Sequence, residues 1–502
     1  MSDVAFSNEK YLAAQKEKIM QRVQQGSGRL YLEFGGKLVG DYHASRVLPG
    51  YDPDVKIRLL KELSSKADII VCIHAEAIER KKIRADFGIT YDDAALKLID
   101  DLRVQGISVS AVVITRFDGQ PTAKAFQESL AKKGMRVFLH QSIPGYPNQL
   151  ETIASKDGFG LNPYIPVTNP LVVVTGPGPG SGKMGTCLSQ LYHEFQQGKP
   201  GRYAKFETFP VWNLPLNHPV NLAYESATAD LMDYNAIDNF HHDAYGTIAV
   251  NYNRDLQAFP LVKALLSRLG GESVYQSPTD MGVNCIASGI LDDEKVCEAA
   301  HEEIIRRYFN YNAAMQLGQA DEKTVQRSLE IINKAGLSPD DRPVVSAARQ
   351  AARDCEQAGR GDDGIYCGAA IKLHDGTIVT GKNSTLMHSA ASMILNAAKH
   401  LAGLPESQHL LLPEIVESVA SFKTGLGTSK RTSLNLNETL IALVVSASRD
   451  LYASRALASL TELRNCDVHF SHIPGHGDEA ALRHLGCCYT YDPLPPTRNF
   501  LA

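Results

Sequence analysis

Residues Leu171–Leu188 read LVVVTGPGPGSGKMGTCL, an apolar run followed by a glycine-rich loop and the start of a helical pattern. Similar apolar runs precede it, separated by segments with helical spacing; they are Leu30–Phe34, Ala67–Ile73, Val109–Ile114 and Met135–Leu139. Continuous apolar strands of this kind are buried on both faces, which is typical of parallel sheets. The sequence therefore predicts an α/β fold whose N-terminal domain is a parallel sheet covered by helices.

The rest of the chain predicts a helical middle and a smaller α/β domain. Helical spacing dominates between residues 295 and 358, and the polar stretch Gln357–Asp363 follows as a linker. Strand and helix patterns then alternate again, with a hairpin turn expected at His374-Asp375-Gly376. We predict an α/β domain over residues 1–320, a helical connector over 321–362 and a smaller α/β domain over 363–502.

The glycine loop is similar to a phosphate-binding loop, whose usual pattern is Gly, four residues, Gly-Lys, then Ser or Thr. Glycines let the backbone turn sharply and present N–H groups, and the following helix points its positive end into the loop. Lys183 adds a full positive charge. We predict that a phosphate or nucleotide binds to Gly176, Gly178, Gly180, Ser181, Gly182, Lys183 and Thr186.

Two departures from the usual pattern set limits on this prediction. Pro177 stands where the first Gly is expected, and Pro177 and Pro179 each remove an N–H donor from the loop. Met184 stands where a hydroxyl would normally bind Mg²⁺. Thr186 is a hydroxyl nearby, although its offset from the lysine differs from the usual one. The alternative is a strand-to-helix turn without a ligand.

Several long motifs extend beyond the loop. They are VNLAYESATADL (Val220–Leu231), SPTDMGVN (Ser277–Asn284) and DGTIVTGKNS (Asp375–Ser384). Together with the loop they resemble a bacterial family catalogued as domain of unknown function 1846, over nearly the whole chain. The resemblance implies a two-part α/β protein of the bacterial cytoplasm. It implies no activity and transfers no catalytic residue.

Other polar residues are candidates for catalysis and substrate binding in the first domain. Asp230, Asp233 or Asp280 would hold Mg²⁺ or act as a base, although a solvated acidic face is the alternative for each. Arg46 follows the first strand and could clamp an anion, or form a surface ion pair. Asn284 ends a polar loop and is a further candidate for substrate binding.

Two motifs of the second domain are candidates as well. Lys382, Asn383 and Ser384 follow the hairpin and are predicted to bind a carboxylate or phosphate. His469, His472 and Asp478 lie in a segment rich in Pro and Gly, where the side chains of a loop could converge on zinc or a similar metal. Polar surface loops are the alternative for both motifs.

Composition narrows the class of protein. The 502-residue chain has a net charge of −5, which argues against a nucleic-acid binder, and no apolar run reaches the length of a membrane span. Its nine cysteines form no CxxC pair, which favours reduced thiols and the cytoplasm. A homo-oligomer is expected because the helical middle is rich in apolar and aromatic residues: Ile304, Ile305, Tyr308, Phe309, Tyr311 and Met315.

Three functions remain open from the sequence. The first is a transferase or ligase that uses a nucleotide or phosphorylated metabolite, with ATP and Mg²⁺ as possible cofactors and with Lys183, Asp230 and Asp280 in catalysis. The second is a regulatory or scaffold protein that binds a ligand without turnover, which Met184 favours. The third is a metal-dependent hydrolase built on His469, His472 and Asp478.

Overall fold

A computed structural model describes residues 4–26, 28–84, 89–270, 275–425 and 432–495. The chain divides into two compact units, residues 1–303 and 304–502. Within the described ranges, no helix is both long enough and apolar enough to cross a membrane.

The first unit alternates strands and helices. Its described strands are β1 (Leu30–Phe34), β2 (Ala67–His74), β3 (Ile83–Arg84), β4 (Ile89–Thr90), β5 (Ala111–Thr115), β6 (Val137–Leu139), β7 (Leu171–Thr175), β8 (Arg202–Phe206), β9 (Asn235–Ile237), β10 (Val250–Tyr252) and β11 (Gly282–Val283). Its described helices are α1 (Asn8–Gln24), α2 (Tyr42–Val47), α3 (Val55–Leu63), α4 (Ala75–Glu79), α5 (Tyr91–Val104), α6 (Pro121–Lys132), α7 (Leu150–Ile153), α8 (Lys183–Gln196), α9 (Pro219–Ala227), α10 (Asn239–Tyr245), α11 (Asn253–Arg268), α12 (Pro278–Met281) and the start of α13 (Asp293–Gln316).

Seven of these strands form one parallel sheet, in the order β11-β8-β1-β7-β2-β5-β6. This confirms the predicted α/β fold. Side chains of β7 such as Val174 pack with Leu188 of α8, whereas Ile73 of β2 packs with Ala95 of α5 in a separate core cluster. Helices thus cover both faces, which is why most residues of these strands are apolar.

The strand order places a crevice beside the glycine loop. Strands β1 and β7 are neighbours in the sheet. The connection after β1 leads to β2 in one direction along the sheet, whereas the connection after β7 leads to β8 in the opposite direction. Where connections diverge in this way, the loops at the carboxyl ends of the strands separate and leave room for a ligand.

The second unit contains a smaller mixed sheet, in the order β13-β12-β14-β15, with only the pair β14 and β15 parallel. Its strands are β12 (Gly368–Lys372), β13 (Ile378–Lys382), β14 (Asp467–Phe470) and β15 (Cys488–Tyr491). Its described helices, after the end of α13, are α14 (Glu322–Lys334), α15 (Pro343–Gln357), α16 (Ser389–Leu401), α17 (Pro413–Gly425), α18 (Leu436–Ala447), α19 (Leu451–Ser459) and α20 (His476–Leu485).

The helical middle differs from the predicted connector. The division between units falls at Glu303 and Ile304, and α15 belongs to the second unit, where Val344 and Ala348 pack against Ala370 of β12. An amphipathic helix must bury its apolar face, and the small sheet provides the surface that it covers.

The chain itself buries much of the apolar surface that motivated the homo-oligomer. Ile304, Ile305 and Phe309 are buried, and Ile305 and Phe309 form a cluster with Val345. These residues therefore need no second copy to cover them, and assembly stays a prediction from the sequence alone.

Candidate functional site

The glycine loop leaves β7 at the centre of the sheet, and two glycines fix its path. Gly182, the residue before α8, has φ +83°, and a Cβ there would lie 2.6 Å from Thr115 Oγ1. A Cβ on Gly176 would lie 2.4 Å from the carbonyl oxygen of Cys72 on β2. Any larger residue at either position would displace a neighbouring strand, so the close packing of the loop requires glycine.

A buried hydroxyl lies inside the loop. Ser181 is buried, and its Oγ lies 2.6 Å from the point that a Cβ on Gly176 would occupy. Within the described ranges, neither Ser181 Oγ nor the neighbouring Thr175 Oγ1 has a hydrogen-bond partner. Buried hydroxyls are rarely left unpaired, because the lost hydrogen bond costs about 1–3 kcal/mol. The loop therefore contains a buried hydroxyl whose donor has no partner among the described residues.

Lys183 and α8 add positive charge at the same place. Lys183 is the first residue of α8, and its Nζ lies 3.5 Å from the carbonyl oxygen of Gly178, across the loop that Gly180 completes. In the described structure no side chain caps the first turn of this 14-residue helix. Its N–H groups and the lysine together favour an anion at this end of the helix.

Thr186 does not take part in this site, which corrects the prediction made from the sequence. It is buried, and its Oγ1 lies 3.4 Å from the Sγ of Cys72 in the core beneath the loop. Met184 packs against the same core cluster. Because α8 must cover the sheet, the hydroxyl at position 186 faces the strands, and the loop offers no side chain equivalent to the usual Mg²⁺ ligand.

A cavity of about 270 Å³ adjoins the loop on the side of α5. Gly176 and Pro177 form part of its wall, and the segment after β1 and helix α5 supply charged groups, including Lys37, Asp54 and Lys97. The volume lies just below the 300–1,000 Å³ typical of small-molecule sites. A metabolite of modest size could enter here with a phosphate against the loop.

A buried charged cluster stands at the carboxyl end of β8. Lys205 Nζ lies 3.0 Å from Glu207 Oε1, donates to the Tyr252 hydroxyl oxygen at 2.6 Å and donates to a carboxylate oxygen of Asp255. We call Lys205, Glu207, Tyr252 and Asp255 the acid–base cluster. The side chains of Lys205, Glu207 and Asp255 are only 11%, 10% and 14% exposed.

The environment of the cluster changes how its groups titrate. Burial raises the pKa of Glu207 to about 8; the charge of Lys205 opposes this rise and the carboxylate of Asp255 adds to it. Burial alone would lower the pKa of Lys205, but Asp255, Tyr252 and Glu207 hold it well above its ordinary value. A carboxyl group with a pKa near neutrality can give or take a proton at physiological pH, as catalytic acids and bases do.

Glu33 connects the cluster with the glycine loop. On β1 it is the register partner of Lys205 on β8 and of Val174 on β7. Because neighbouring strands lie about 4.8 Å apart, Lys205 and Val174 are separated by roughly 10 Å at the same edge of the sheet. The Tyr203 hydroxyl donates to Glu33 at 2.5 Å, which holds this carboxylate in place. The glycine loop and the acid–base cluster thus lie at one edge of the sheet.

The acid–base cluster was not found from the sequence. A signal was present, because the charged residues Lys205 and Glu207 alternate with apolar and aromatic residues in YAKFE (residues 203–207), at the carboxyl end of β8. Charged residues almost never enter a buried strand unless they are paired. The partner Asp255 lies on α11, 50 residues beyond Lys205, and no local pattern points to it.

Two carboxylates predicted to be catalytic, Asp230 and Asp280, lie outside the acid–base cluster. Asp230 is exposed on a turn after α9. Asp280 accepts hydrogen bonds from the Tyr245 hydroxyl at 2.9 Å and the Gln276 amide at 3.1 Å, and so joins α10 to α12. The neighbouring candidate Asp233 is buried and paired with Arg254. The acid–base cluster contains none of these carboxylates.

Two predicted substrate-binding residues of the first unit have structural partners. Arg46 Nε donates to Glu303 at 2.9 Å, so a buried carboxylate already neutralises its charge. The Asn284 side-chain amide donates to the carbonyl oxygens of Thr208 and Pro210 at 3.1 and 2.8 Å. Asn284 therefore holds the segment after β8 in place, which is a supporting role beside the acid–base cluster.

The side chains predicted to bind an anion after the hairpin instead have structural partners within the second unit. Asn383 accepts from the Cys367 amide at 2.7 Å and donates to the Ile365 carbonyl oxygen at 2.9 Å. Ser384 accepts from backbone amides in its own turn. Lys382 lies 3.4 Å from Asp354. Because these polar groups bind one another and the backbone, the structure gives no support to an anion site here.

The predicted metal ligands of the second unit do not converge. His469 is buried on β14 with its Nδ1 2.9 Å from Thr490 Oγ1, whereas Asp478 lies on α20 and binds His388 at 2.7 Å. Among the described residues, His469, His472 and Asp478 are not among the groups whose ligand atoms lie within 4.8 Å of one another. His469 lies on a strand and Asp478 on a helix instead of in the expected loop, so this metal site and the hydrolase built on it are not supported.

A cavity of about 490 Å³ in the second unit is lined by Arg349, Arg353, Tyr366, Ser471 and Asp492, among others. Arg349 donates twice to Asp492, at 2.9 and 2.7 Å. The pair neutralises the guanidinium, so the cavity is a weaker candidate for an anion than the glycine loop.

Comparisons with known proteins agree with the motifs seen in the sequence. The family model described as domain of unknown function DUF1846, N-terminal, matches residues 4–336, and its C-terminal counterpart matches residues 340–500. A UPF0371 protein of Clostridium tetani is 48% identical over 497 residues, with 99% of both chains covered. A UPF0371 protein of Clostridium botulinum is 49% identical over 492 residues, covering 98% of this chain and 97% of the relative.

Proposed function

The chain belongs to the DUF1846 family, and we propose that it binds the phosphate of a small molecule, a nucleotide or a phosphorylated metabolite, at the loop from Gly176 to Lys183. The observation that carries this proposal is the buried Ser181 hydroxyl, which lies inside the loop without a partner among the described residues. The uncapped start of α8 and the charge of Lys183 support the same ligand.

The acid–base cluster supports an enzyme of the phosphoryl-transfer or ligase type. In this reaction Glu207 takes the proton of a substrate hydroxyl or acid as that oxygen bonds to phosphorus, and the leaving group departs with its electron pair. Lys205 and Lys183 offset the negative charge, so catalysis rests on positioning and electrostatics. Mg²⁺, where the substrate brings it, would be held mainly by the substrate's phosphates, because Thr186 faces the core.

Binding is tested by calorimetry and thermal shift with inorganic phosphate, ATP, GTP and sugar phosphates. A true ligand at 100 times its Kd stabilises the wild type by about 2.7 kcal/mol. Lys183→Ala is expected to weaken binding by about tenfold or more, since a charge-assisted bond is lost. Lys124→Ala, on the outer helix α6, is the matched control and should change nothing. If no phosphate compound stabilises the wild type, the proposal is wrong.

Ser181→Ala separates a binding role from a structural one. If the hydroxyl serves the ligand, the substitution weakens binding several-fold but leaves the unliganded protein at least as stable, because a buried unpaired hydroxyl is removed. A loss of stability with unchanged binding would show that the hydroxyl is structural.

The second candidate is a binding protein without turnover. Met184, packed on the core where a Mg²⁺ ligand is usual, favours it. Product formation is measured for each bound compound with and without Mg²⁺, in the wild type and in Glu207→Gln. Turnover that falls in Glu207→Gln while Kd is retained supports the enzyme; binding without any product supports the second candidate.

A further inference from the structure

Three side chains of different chemistry meet where two helices begin. His218 precedes the first residue of α9, Asp293 is the first residue of α13, and Cys297 follows one helical turn later. Residues four apart share a helix face, so the carboxylate and the thiol point to the same side of α13. His218 faces them from α9, 75 residues earlier in the sequence.

The distances between their ligand atoms fit a tetrahedral zinc ion. His218 Nε2 lies 3.4 Å from Asp293 Oδ2 and 3.6 Å from Cys297 Sγ, and this Sγ lies 4.0 Å from the same Asp293 Oδ2. Zinc bonds of about 2.0 Å to N and O and about 2.3 Å to S place tetrahedral ligands roughly 3.3 Å apart for N and O and roughly 3.5 Å apart where S is one of them. The three side chains therefore need only shifts of about half an ångström.

We propose that His218, Asp293 and Cys297 bind a zinc-type divalent cation, independently of the phosphate site. An imidazole, a carboxylate and a thiolate are zinc ligands, and the thiolate disfavours Mg²⁺ and Ca²⁺. Water completes the tetrahedron from the solvent side, where the Asp293 side chain is 62% exposed. In the part of the chain that the structure describes, no other three His, Cys, Asp or Glu side chains come this close.

Protons must leave when the ion binds. His218 Nδ1 accepts from the Val220 amide at 3.3 Å, so in the neutral ring the proton sits on Nε2 and donates to Asp293. On binding, Nε2 bonds to the metal, its proton moves to Nδ1, and the thiol of Cys297 releases its proton to solvent. The lost cap bond is a small cost beside the free energy that zinc binding contributes at structural sites.

The experiment uses the full-length protein, stripped with a chelator and titrated with Zn²⁺ and Co²⁺. One equivalent of Zn²⁺ is expected to bind and raise Tm, because the ion ties the start of α9 to α13. The Co²⁺ form should show a thiolate-to-cobalt charge-transfer band in the near ultraviolet, which requires a bound thiolate. Cys297→Ser should abolish this band, whereas the control Cys285→Ser should retain it.

Asp293→Asn provides a second test in case Cys297→Ser does not fold, because the exposed Asp293 side chain is not needed for packing. It should keep the wild-type circular dichroism and weaken Zn²⁺ by about tenfold or more, as even outer metal partners do. Absence of a charge-transfer band in wild type, or its persistence in Cys297→Ser, overturns the proposal, and so does unchanged Zn²⁺ affinity in Asp293→Asn.

Discussion

The Thr115 hydroxyl, at the end of β5, donates to the carbonyl oxygen of Ser181 in the glycine loop at 2.8 Å. Two strand positions separate β5 from β7, so this bond reaches across β2 to the loop. The same hydroxyl also lies 3.3 Å from the Ile73 carbonyl oxygen. The conformation of the loop therefore depends on a residue that lies far from it in sequence.

Thr115→Val is expected to loosen the loop while keeping the shape of the side chain. The Ser181 carbonyl loses its donor, so stability should fall by about 1 kcal/mol and phosphate binding should weaken several-fold. Thr115→Ser keeps the hydroxyl and is the control. Denaturant unfolding and calorimetry measure both effects; equal behaviour of the two variants would contradict the role given to this bond.

Gly182→Ala should cost more stability than Gly180→Ala. Both residues have positive φ, +83° and +71°, so alanine costs about 1–2 kcal/mol at either position. Only at Gly182 would the new Cβ also meet Thr115, between 2.6 and 2.8 Å, which adds about 1–3 kcal/mol of overpacking. Thermal and urea unfolding of the two variants give the comparison. A Gly180→Ala variant that is the less stable of the two would refute the geometry.

Lys205→Met is expected to destabilise the first unit strongly. It leaves Glu207 and Asp255 buried without their cation, and breaking a buried pair on one side costs about 3–5 kcal/mol. At a pH above 8, where Glu207 is ionised, adding Glu207→Gln removes one of the two carboxylates left without a cation and should recover part of the loss. A double-mutant cycle by urea unfolding measures the coupling. Strictly additive effects would show that the two side chains do not interact.

Glu207→Gln should change how stability depends on pH. The pKa of Glu207 is raised from 4.5 to about 8, first by burial and then by Asp255, so the folded state binds this proton more tightly than the unfolded state. That stabilisation is complete below about pH 4.5 and is lost as the pH rises through 8. The other titratable groups that face Glu207 are Lys205, Tyr224 and Tyr252.

The Tm of Glu207→Gln relative to wild type should therefore increase steadily between pH 4.5 and 8, because glutamine stays neutral throughout. Glu128→Gln, an exposed position on α6, provides the control and should follow the wild type. A constant difference between Glu207→Gln and wild type across this range would mean that Glu207 titrates normally.

Much of the fold was predictable because it depends on local patterns. Runs such as Leu30–Phe34 and Ala67–Ile73 are apolar except at one position each, Glu33 and Asp68, and only a strand covered on both faces buries such a run completely. The glycines of the loop carry comparable information, since positive φ at Gly180 and Gly182 excludes most other residues. The sequence by itself therefore determined the parallel sheet, the strand–loop–helix around Lys183 and the hairpin of the second unit.

The tertiary structure decided which polar side chains meet. Lys205 and Asp255 are 50 residues apart, and His218 and Asp293 are 75 apart, so only the packing of separate elements brings each pair together. It also decided the contacts of residues that the sequence had suggested for binding: Arg46 forms an ion pair with Glu303, and Thr186 faces the core. The physical reason is that the hydrophobic pattern of one strand or helix shows which of its residues are buried. An ion pair or a ligand site depends instead on distances between separate elements, which no local pattern contains.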